Sequence, residues 1–358
     1  MGERAYNFNA GPAALPLEVL EKAQQEFVNY KQSGMSIMEV SHRSKEYDEV
    51  HEQAQSLLKE LLNIPSNYKV LFLQGGASGQ FAMLPMNLVK PKQTAAYVLT
   101  GSWAKKAYSE AKQVCNSSII ASGETCNWTG IPEFHAVDMP EDTAYIHITS
   151  NETIGGIQYK DFPESNGIPL VADMSSDILS RQLDVSKFGV IYAGAQKNLG
   201  PSGVTLVIIR EDLIEDNEHL PTIYRYATHA SSSSLYHTPP VYSIYMVKLV
   251  LEWIKEQGGV AAIEKKNKEK AQCLYDVIDH MKDMYHGVAS PAYRSNMNVT
   301  FRLANEQLES EFIQQSAKQG FIGLKGHRSV GGLRASIYNA VPYENCVALS
   351  RFMKEFSR

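Results

Sequence analysis

Apolar positions along this chain follow two alternating periods. Short β-branched runs are followed by segments with apolar residues three and four apart, the succession that builds an α/β fold. Leu17–Gln32 reads as a first helix, with Leu17, Leu20, Gln24, Phe27 and Lys31 on one line. Ser44–Leu62 reads as a stronger one: Ser44 is placed as the cap, and Tyr47, Val50, Ala54, Leu57, Leu58 and Leu61 form the stripe. Lys69–Leu73 and Thr94–Leu99 read as buried strands, after which Ser102 is placed to cap a helix carrying Ala104, Ala107, Ala111 and Val114. Tyr145–Thr149 and Pro169–Asp173 read as central strands, and Val190–Ala193 and Val204–Ile209 as two more. Thr228–Pro240, polar and closed by two prolines, reads as a loop that is either mobile or functional.

A helix is predicted over Val241–Gln257, ended by Gly258 and Gly259, and a charged one over Val260–Met284. A smaller α/β pattern follows: a strand at Asn298–Arg302, a helix at Leu308–Gln319, a strand at Leu333–Ile337 and a helix at Tyr343–Phe356. The pattern predicts a large domain over 16–259 with a mostly parallel sheet flanked by helices. A small α/β domain over 260–358, joined by residues 1–15, completes it.

The 358 residues suffice for two sizeable cores. A net charge of −5 gives no general attraction to nucleic acid or to an anionic membrane. Anionic ligands therefore need a few local cations. The four cysteines (Cys115, Cys126, Cys273, Cys346) are widely spread and have no metal-ligand spacing, so no metal is expected. With no apolar leader in Met1–Asn7 and no apolar run long enough to span a bilayer, the expected location is the cytoplasm.

Chemistry concentrates in Ala193-Gly-Ala-Gln-Lys-Asn-Leu-Gly-Pro-Ser-Gly203. Lys197 follows an apolar run and precedes a glycine- and proline-marked turn. An ammonium in apolar surroundings tends to lose its proton and become a nucleophile toward carbonyls, above all toward pyridoxal phosphate; the bland reading is a lysine at a strand end. Gly75-Gly-Ala-Ser-Gly79 follows a strand and opens a helix, where backbone N–H groups can meet a phosphate. It lacks the spacing of a dinucleotide fingerprint. Asp173 ends a buried strand, where a carboxylate needs a cationic partner such as a protonated pyridine nitrogen. Trp103 could stack on a planar ring. His42-Arg43, His327-Arg328 and Arg334 are cations suited to an anionic substrate.

The opening Tyr6-Asn-Phe-Asn-Ala-Gly-Pro-Ala-Ala-Leu-Pro16, Ser41-His-Arg-Ser44, Gln74–Phe81, Ala172–Ser176, Gln196–Gly200 and Gly326-His-Arg-Ser329 resemble the phosphoserine aminotransferase family, in its order and spacing over essentially the whole chain. That family lies among the fold-type I, class V aminotransferases. The resemblance implies a homodimer that converts 3-phosphohydroxypyruvate and L-glutamate to O-phospho-L-serine and 2-oxoglutarate by ping-pong transamination. The family often also aminates a phosphorylated hydroxythreonine precursor of vitamin B6. Lys197 would be the Schiff-base lysine. Ala77, Ser78 and Gln196 would hold the cofactor phosphate, joined by His237 and Thr238 from the other subunit. Trp103 would stack on the pyridine ring, Asp173 would pair with its nitrogen, and Thr153 would bond its phenolic oxygen. Arg334 would clamp the substrate α-carboxylate. His42, Arg43, His327 and Arg328 would receive the distal phosphate or carboxylate, some across the dimer interface. Many family members carry arginine at the place of Ser78 and asparagine at that of His237, which bears on the phosphate ligands alone.

Four other readings compete. An alanine–glyoxylate type of transamination would use the same core residues. A cysteine desulfurase would need a cysteine on a mobile loop near the cofactor, and a nicotinamide dehydrogenase would need the missing dinucleotide fingerprint. A non-catalytic relative would have no reason to keep Lys197 and Asp173.

Overall fold

The computed structural model describes residues 4–134 and 139–356. Residues 1–3 of the opening segment, and 357–358 of the expected small domain, lie outside the described residues. In chain order the elements are β1 (Tyr6–Asn7), α1 (Leu17–Glu26), α2 (Lys45–Leu61), β2 (Tyr68–Leu73), α3 (Gly76–Leu88), β3 (Thr94–Leu99), α4 (Ser102–Val114), β4 (Asn116–Ser122), β5 (Thr143–Thr149), β6 (Asn151–Glu152), β7 (Ile157–Gln158), β8 (Leu170–Asp173), β9 (Val190–Gly194), β10 (Thr205–Arg210), α5 (Tyr226–Ser231), α6 (Val241–Glu256), α7 (Gly259–His280), β11 (Tyr285–Gly287), β12 (Asn298–Leu303), α8 (Glu306–Lys318), β13 (Phe321–Ile322), β14 (Leu333–Ser336) and α9 (Tyr343–Phe356).

Seven strands form one sheet in the order β2-β10-β9-β8-β5-β3-β4. Only β10 runs against its neighbours; the other pairings are parallel. Both faces are covered, and this is why the central strands read as continuous apolar runs. The two-residue period of a strand divides them between two cores. Val70, Phe72, Ile146, Ile148, Ile191 and Ile208 face the core beneath α2 and α6. Leu71, Leu73, Tyr145, Val190, Tyr192 and Val207 face the core beneath α3 and α4. A third cluster packs α7, α8 and α9 on the sheet β11-β12-β14, and Phe8 from the N-terminal segment joins it. Helix α7 spans two cores: Val260 and Ile263 belong to the first, while Ala271, Leu274, Val277 and Ile278 belong to the third. Among the described residues no helix is long and apolar enough to cross a membrane.

Four expectations change. The first helix stops at Glu26 and not Gln32. Lys31 and Gln32 adopt left-handed backbone, and the turn is closed by Tyr30 N–H donating to the Met35 carbonyl and by Gly34 N–H donating to Asn29 Oδ1. Ser102 is the first helical residue of α4, with Gly101 before it, and its side chain makes no cap. The start of the polar segment 228–240 is helical, because Thr228 to Ser231 complete α5. The long helix α7 ends at His280, and the chain turns through Met281–Met284 into β11. Strands β1, β4, β6, β7, β11 and β13 were not expected; most are only two or three residues long, too short to show a period.

Candidate active site

The parallel strands point their carboxyl ends at one crevice. In such sheets ligands bind there, where connections leave neighbouring strands in opposite directions. Here β3 connects outward to β4, while β5 connects inward to β8, so the crevice opens between β3 and β5. Each strand ends in a residue with chemistry: Gly75 after β2, Gly101 after β3, Thr149 on β5, Asp173 on β8 and Lys197 after β9. A cavity of about 470 Å³ is lined by Ala77, Ser78, Trp103, Thr153, Asp173, Gln196, Lys197, His327 and Arg334, all expected from the sequence.

Lys197 Nζ donates to Thr153 Oγ1 at 2.7 Å and lies 5.5 Å from the centroid of the Trp103 ring. Burial, partly offset by Asp173 and with Arg334 adding to it, pushes the ammonium down to about 8. Asp173 is buried and takes the Ser175 N–H on Oδ1 at 2.9 Å. Burial raises its carboxyl above the ordinary aspartate range, against Ser175 and Lys197, which lower it. A cationic ring nitrogen opposite it would remove the cost of that burial.

The phosphate end is a helix start. Gly75 (φ +91°) and Gly76 (φ +63°) are both left-handed, which favours glycine. The first N–H bonded back into the turn is that of Gly79, to the Gly75 carbonyl at 3.0 Å. The N–H groups of Gly76, Ala77 and Ser78 are therefore free of helical acceptors at the positive end of α3, the arrangement an anion needs. Arg334, on β14, donates through Nη1 to the Thr153 carbonyl at 3.2 Å, while its Nε is buried without a partner among the described residues. Arg334 lines the cavity, and its guanidinium suits a carboxylate. His327 bonds Ser329 Oγ through Nδ1 at 2.7 Å, and burial together with the Arg334 charge lowers its pKa. These donors fit a phosphorylated pyridine aldehyde and an amino acid carboxylate.

The remaining expected residues lie elsewhere in this single chain. His237 bonds Gln74 across 3.0 Å between their Nε2 atoms, beside the Gly75 turn but outside the cavity lining. Thr238 next to it is exposed. Arg328 is exposed beside His327. His42 and Arg43 precede α2 and do not line the cavity.

Several lining residues escaped the sequence reading: Ala10, Gly11, Thr149, Asn151, Ser175 and Ser176. Gly11 packs against Lys197, since a Cβ there would sit 3.4 Å from Lys197 Cγ. Asn151 donates to Ser176 Oγ and to Asn298 Oδ1, tying the cavity floor to β12. Its position just past an apolar strand, like that of Asp173, was the available signal. None of the four cysteines lines the cavity.

The family described as aminotransferase class-V matches residues 5–349. A phosphoserine aminotransferase of Niallia circulans is 58% identical over 359 residues, covering 100% of this chain and 99% of its own. The solved structure of phosphoserine aminotransferase from Bacillus circulans subsp. alkalophilus superposes with a TM-score of 0.97 at 58% identity, covering 100% of this chain and 99% of that one. The PLP-bound phosphoserine aminotransferase of Trichomonas vaginalis gives a TM-score of 0.90 at 39% identity, covering 98% and 100%.

Proposed function

The chain belongs to the class-V aminotransferases, which depend on pyridoxal phosphate, and on that footing we propose that it transfers the amino group of L-glutamate to 3-phosphohydroxypyruvate, giving O-phospho-L-serine and 2-oxoglutarate. The observation that carries the reading is Lys197 set opposite Asp173 in a cavity that also receives the anion-ready start of α3. Its near relatives of the same length carry the phosphoserine name.

When bound, the cofactor supplies an electron sink for the pair left on the substrate Cα. Asp173 would hold a proton on the ring nitrogen. Trp103 would cover one face of the ring, and Ala77, Ser78 and Gln196 would bind the phosphate. Lys197, low enough in pKa to be substantially free amine in mild base, would take the proton from the substrate Cα. Thr153 would orient Lys197 and the ring oxygen near it. Arg334 would bind the α-carboxylate that both substrates share. His327 and Arg328 would receive the distal phosphate or carboxylate.

His42, Arg43, His237 and Thr238 complete the reading as residues of a homodimer. Phe27, Val28, Met35 and Met38 form an exposed apolar segment that leads directly to His42 and Arg43, and Val28 is 76% exposed. Covering that segment with a second copy would deliver the two cations to a neighbouring cavity. The separate third core supports the division into 16–259 and 260–358 with 1–15, although the first turns of α7 pack on the first core. The four free cysteines agree with a cytoplasmic enzyme.

The test is the visible spectrum of the purified protein with O-phospho-L-serine and, as control, L-serine. Bleaching of the bound-cofactor band by phosphoserine alone supports the substrate, and equal response to both removes it. Lys197→Ala abolishes turnover; full activity without added amine removes the lysine's role.

A further inference from the structure

Glu152 is a carboxylate with no solvent exposure, directly before Thr153 on the floor of the cavity. Buried carboxylates need strong donors, and this one reaches across to the start of α4. Its Oε2 accepts the Trp103 N–H at 3.2 Å and its Oε1 accepts the Ala104 N–H at 3.0 Å. Helix α4 has no side chain of its own to do this, because the preceding residue is Gly101. The absence of a side chain at that place is itself required: a Cβ on Gly101 would lie 2.6 Å from Glu152 Cδ. Gly101 has extended backbone, so space for Glu152 is the reason for glycine there.

We propose that Glu152 is a positioning residue of the transamination site: it clamps the first turn of α4 and so fixes Trp103 across the cavity from Lys197. The proposal rests on the reading of that cavity as the cofactor site. Three consecutive residues then divide the work. Asn151 ties the floor to β12, Glu152 sets Trp103, and Thr153 holds Lys197 through its hydroxyl and Arg334 through its carbonyl. A shift of the strand end would move Trp103, Lys197 and Arg334 together. The charges around Glu152 are few. Burial raises its carboxyl to about 7, the two N–H groups lower it, Asp173 raises it and Lys197 lowers it.

The test compares the holoenzyme with Glu152→Ala, Glu152→Gln and Gly101→Ala. The readouts are the visible circular dichroism of the cofactor per mole bound, kcat, KM for L-glutamate, and the thermal midpoint. Loss of the clamp lets Trp103 move by a fraction of an ångström or more, and misplacement on that scale costs roughly tenfold to a hundredfold in kcat. KM changes by less than about threefold, because the carboxylate site is not touched. Glu152→Gln retains one acceptor and falls between wild type and Glu152→Ala. Gly101→Ala pushes the carboxylate off its donors without removing it, and reproduces the dichroism change. A lower thermal midpoint with unchanged dichroism and kcat overturns the proposal, since that is what a merely structural carboxylate would give. If Glu152→Ala does not fold, an unchanged Gly101→Ala holoenzyme overturns it instead. Wild-type protein that binds no cofactor overturns the reading of the cavity and the proposal with it.

Discussion

Arg334 shows how a single side chain can be costly to fold and useful to catalysis. Its Nε has no acceptor among the described residues, and burial lowers its pKa. A substrate carboxylate would satisfy the fork with charge-assisted bonds, each worth about 1.5–3 kcal/mol. Arg334→Ala is therefore expected to raise KM for both glutamate and the keto acid by roughly tenfold or more, with a smaller effect on kcat. Initial-rate kinetics with each substrate varied in turn decides it; an unchanged KM for both sinks the assignment. His147 is a second residue with a measurable signature. It lies fully buried on β5, stacked on Tyr97 at 4.9 Å and bonded to the Tyr192 hydroxyl at 2.8 Å. Burial drives its pKa down to about 3. In the unfolded chain it would protonate near 6.5, so the unfolded state binds the extra proton between those values. Its contribution to stability is thus complete above about pH 6.5 and is lost as pH falls toward 3. Glu152, raised to about 7, acts with the opposite sign between its ordinary value and 7, so the wild-type slope alone is ambiguous. Comparison with His147→Phe isolates the histidine: the wild-type advantage should shrink by about 2 kcal/mol between pH 7 and pH 5. A constant gap in urea unfolding at the two pH values would show that the imidazole is not held neutral.

At the scale of elements, the start of α3 is the most sequence-specific piece of backbone in the site. Gly76 has left-handed φ, and among the described residues no atom beyond its chain neighbours and its own helix backbone lies within 4 Å of the place a Cβ would take, so a substitution there acts through conformation. Gly76→Ala should cost about 1–2 kcal/mol and turn the free N–H groups away from the phosphate. Titration of cofactor into the apoprotein should show several-fold weaker binding; equal affinity would mean the turn does not hold the phosphate. Long elements were legible in the sequence because each has a clear period: α6, α9, β3 and the core of the central sheet appear within a residue or two of their expected limits. The failures have local physical causes. The polar beginning of β4, Asn116-Ser-Ser, hides an edge strand. Strands β1 and β13 are two residues each and exist only through their mutual pairing, Tyr6 opposite Phe321. The true cap of α4 comes from Glu152, nearly fifty positions away, and no local rule reads such a partner. The same limit applies to the site. Lys197, Asp173 and the glycine turn stand out by residue type and strand-end position, whereas Gly11 and Asn151 gain meaning only from what the fold brings beside them.

The whole molecule carries a prediction about assembly. Exposed Val28 and Met38 precede His42 and Arg43 in the chain, and neither of these cations lines the cavity that holds Lys197. The proposed homodimer predicts a light-scattering mass of twice the chain's 39.9 kDa, which Val28→Asp should shift toward one chain while lowering activity in parallel. A fully active monomer would separate the site from the interface.

The pairing of β1 with β13 also orders events in time. Residues 6–11 leave the ribosome before everything they pack against, and their resting places, the Phe321 strand, Gly323 and the side of Lys197, are not all available until some three hundred residues later. At about 5–20 residues per second, translation keeps that leading segment waiting for tens of seconds. The seven-stranded sheet can form in the meantime, and Gly11 can meet Lys197 once both exist, but Tyr6 and Asn7 stay without their strand partners until Phe321 and Ile322 are made. A growing polypeptide would therefore hold this segment without its β1 pairing until Phe321 and Ile322 emerge, well after the sheet that bears Lys197.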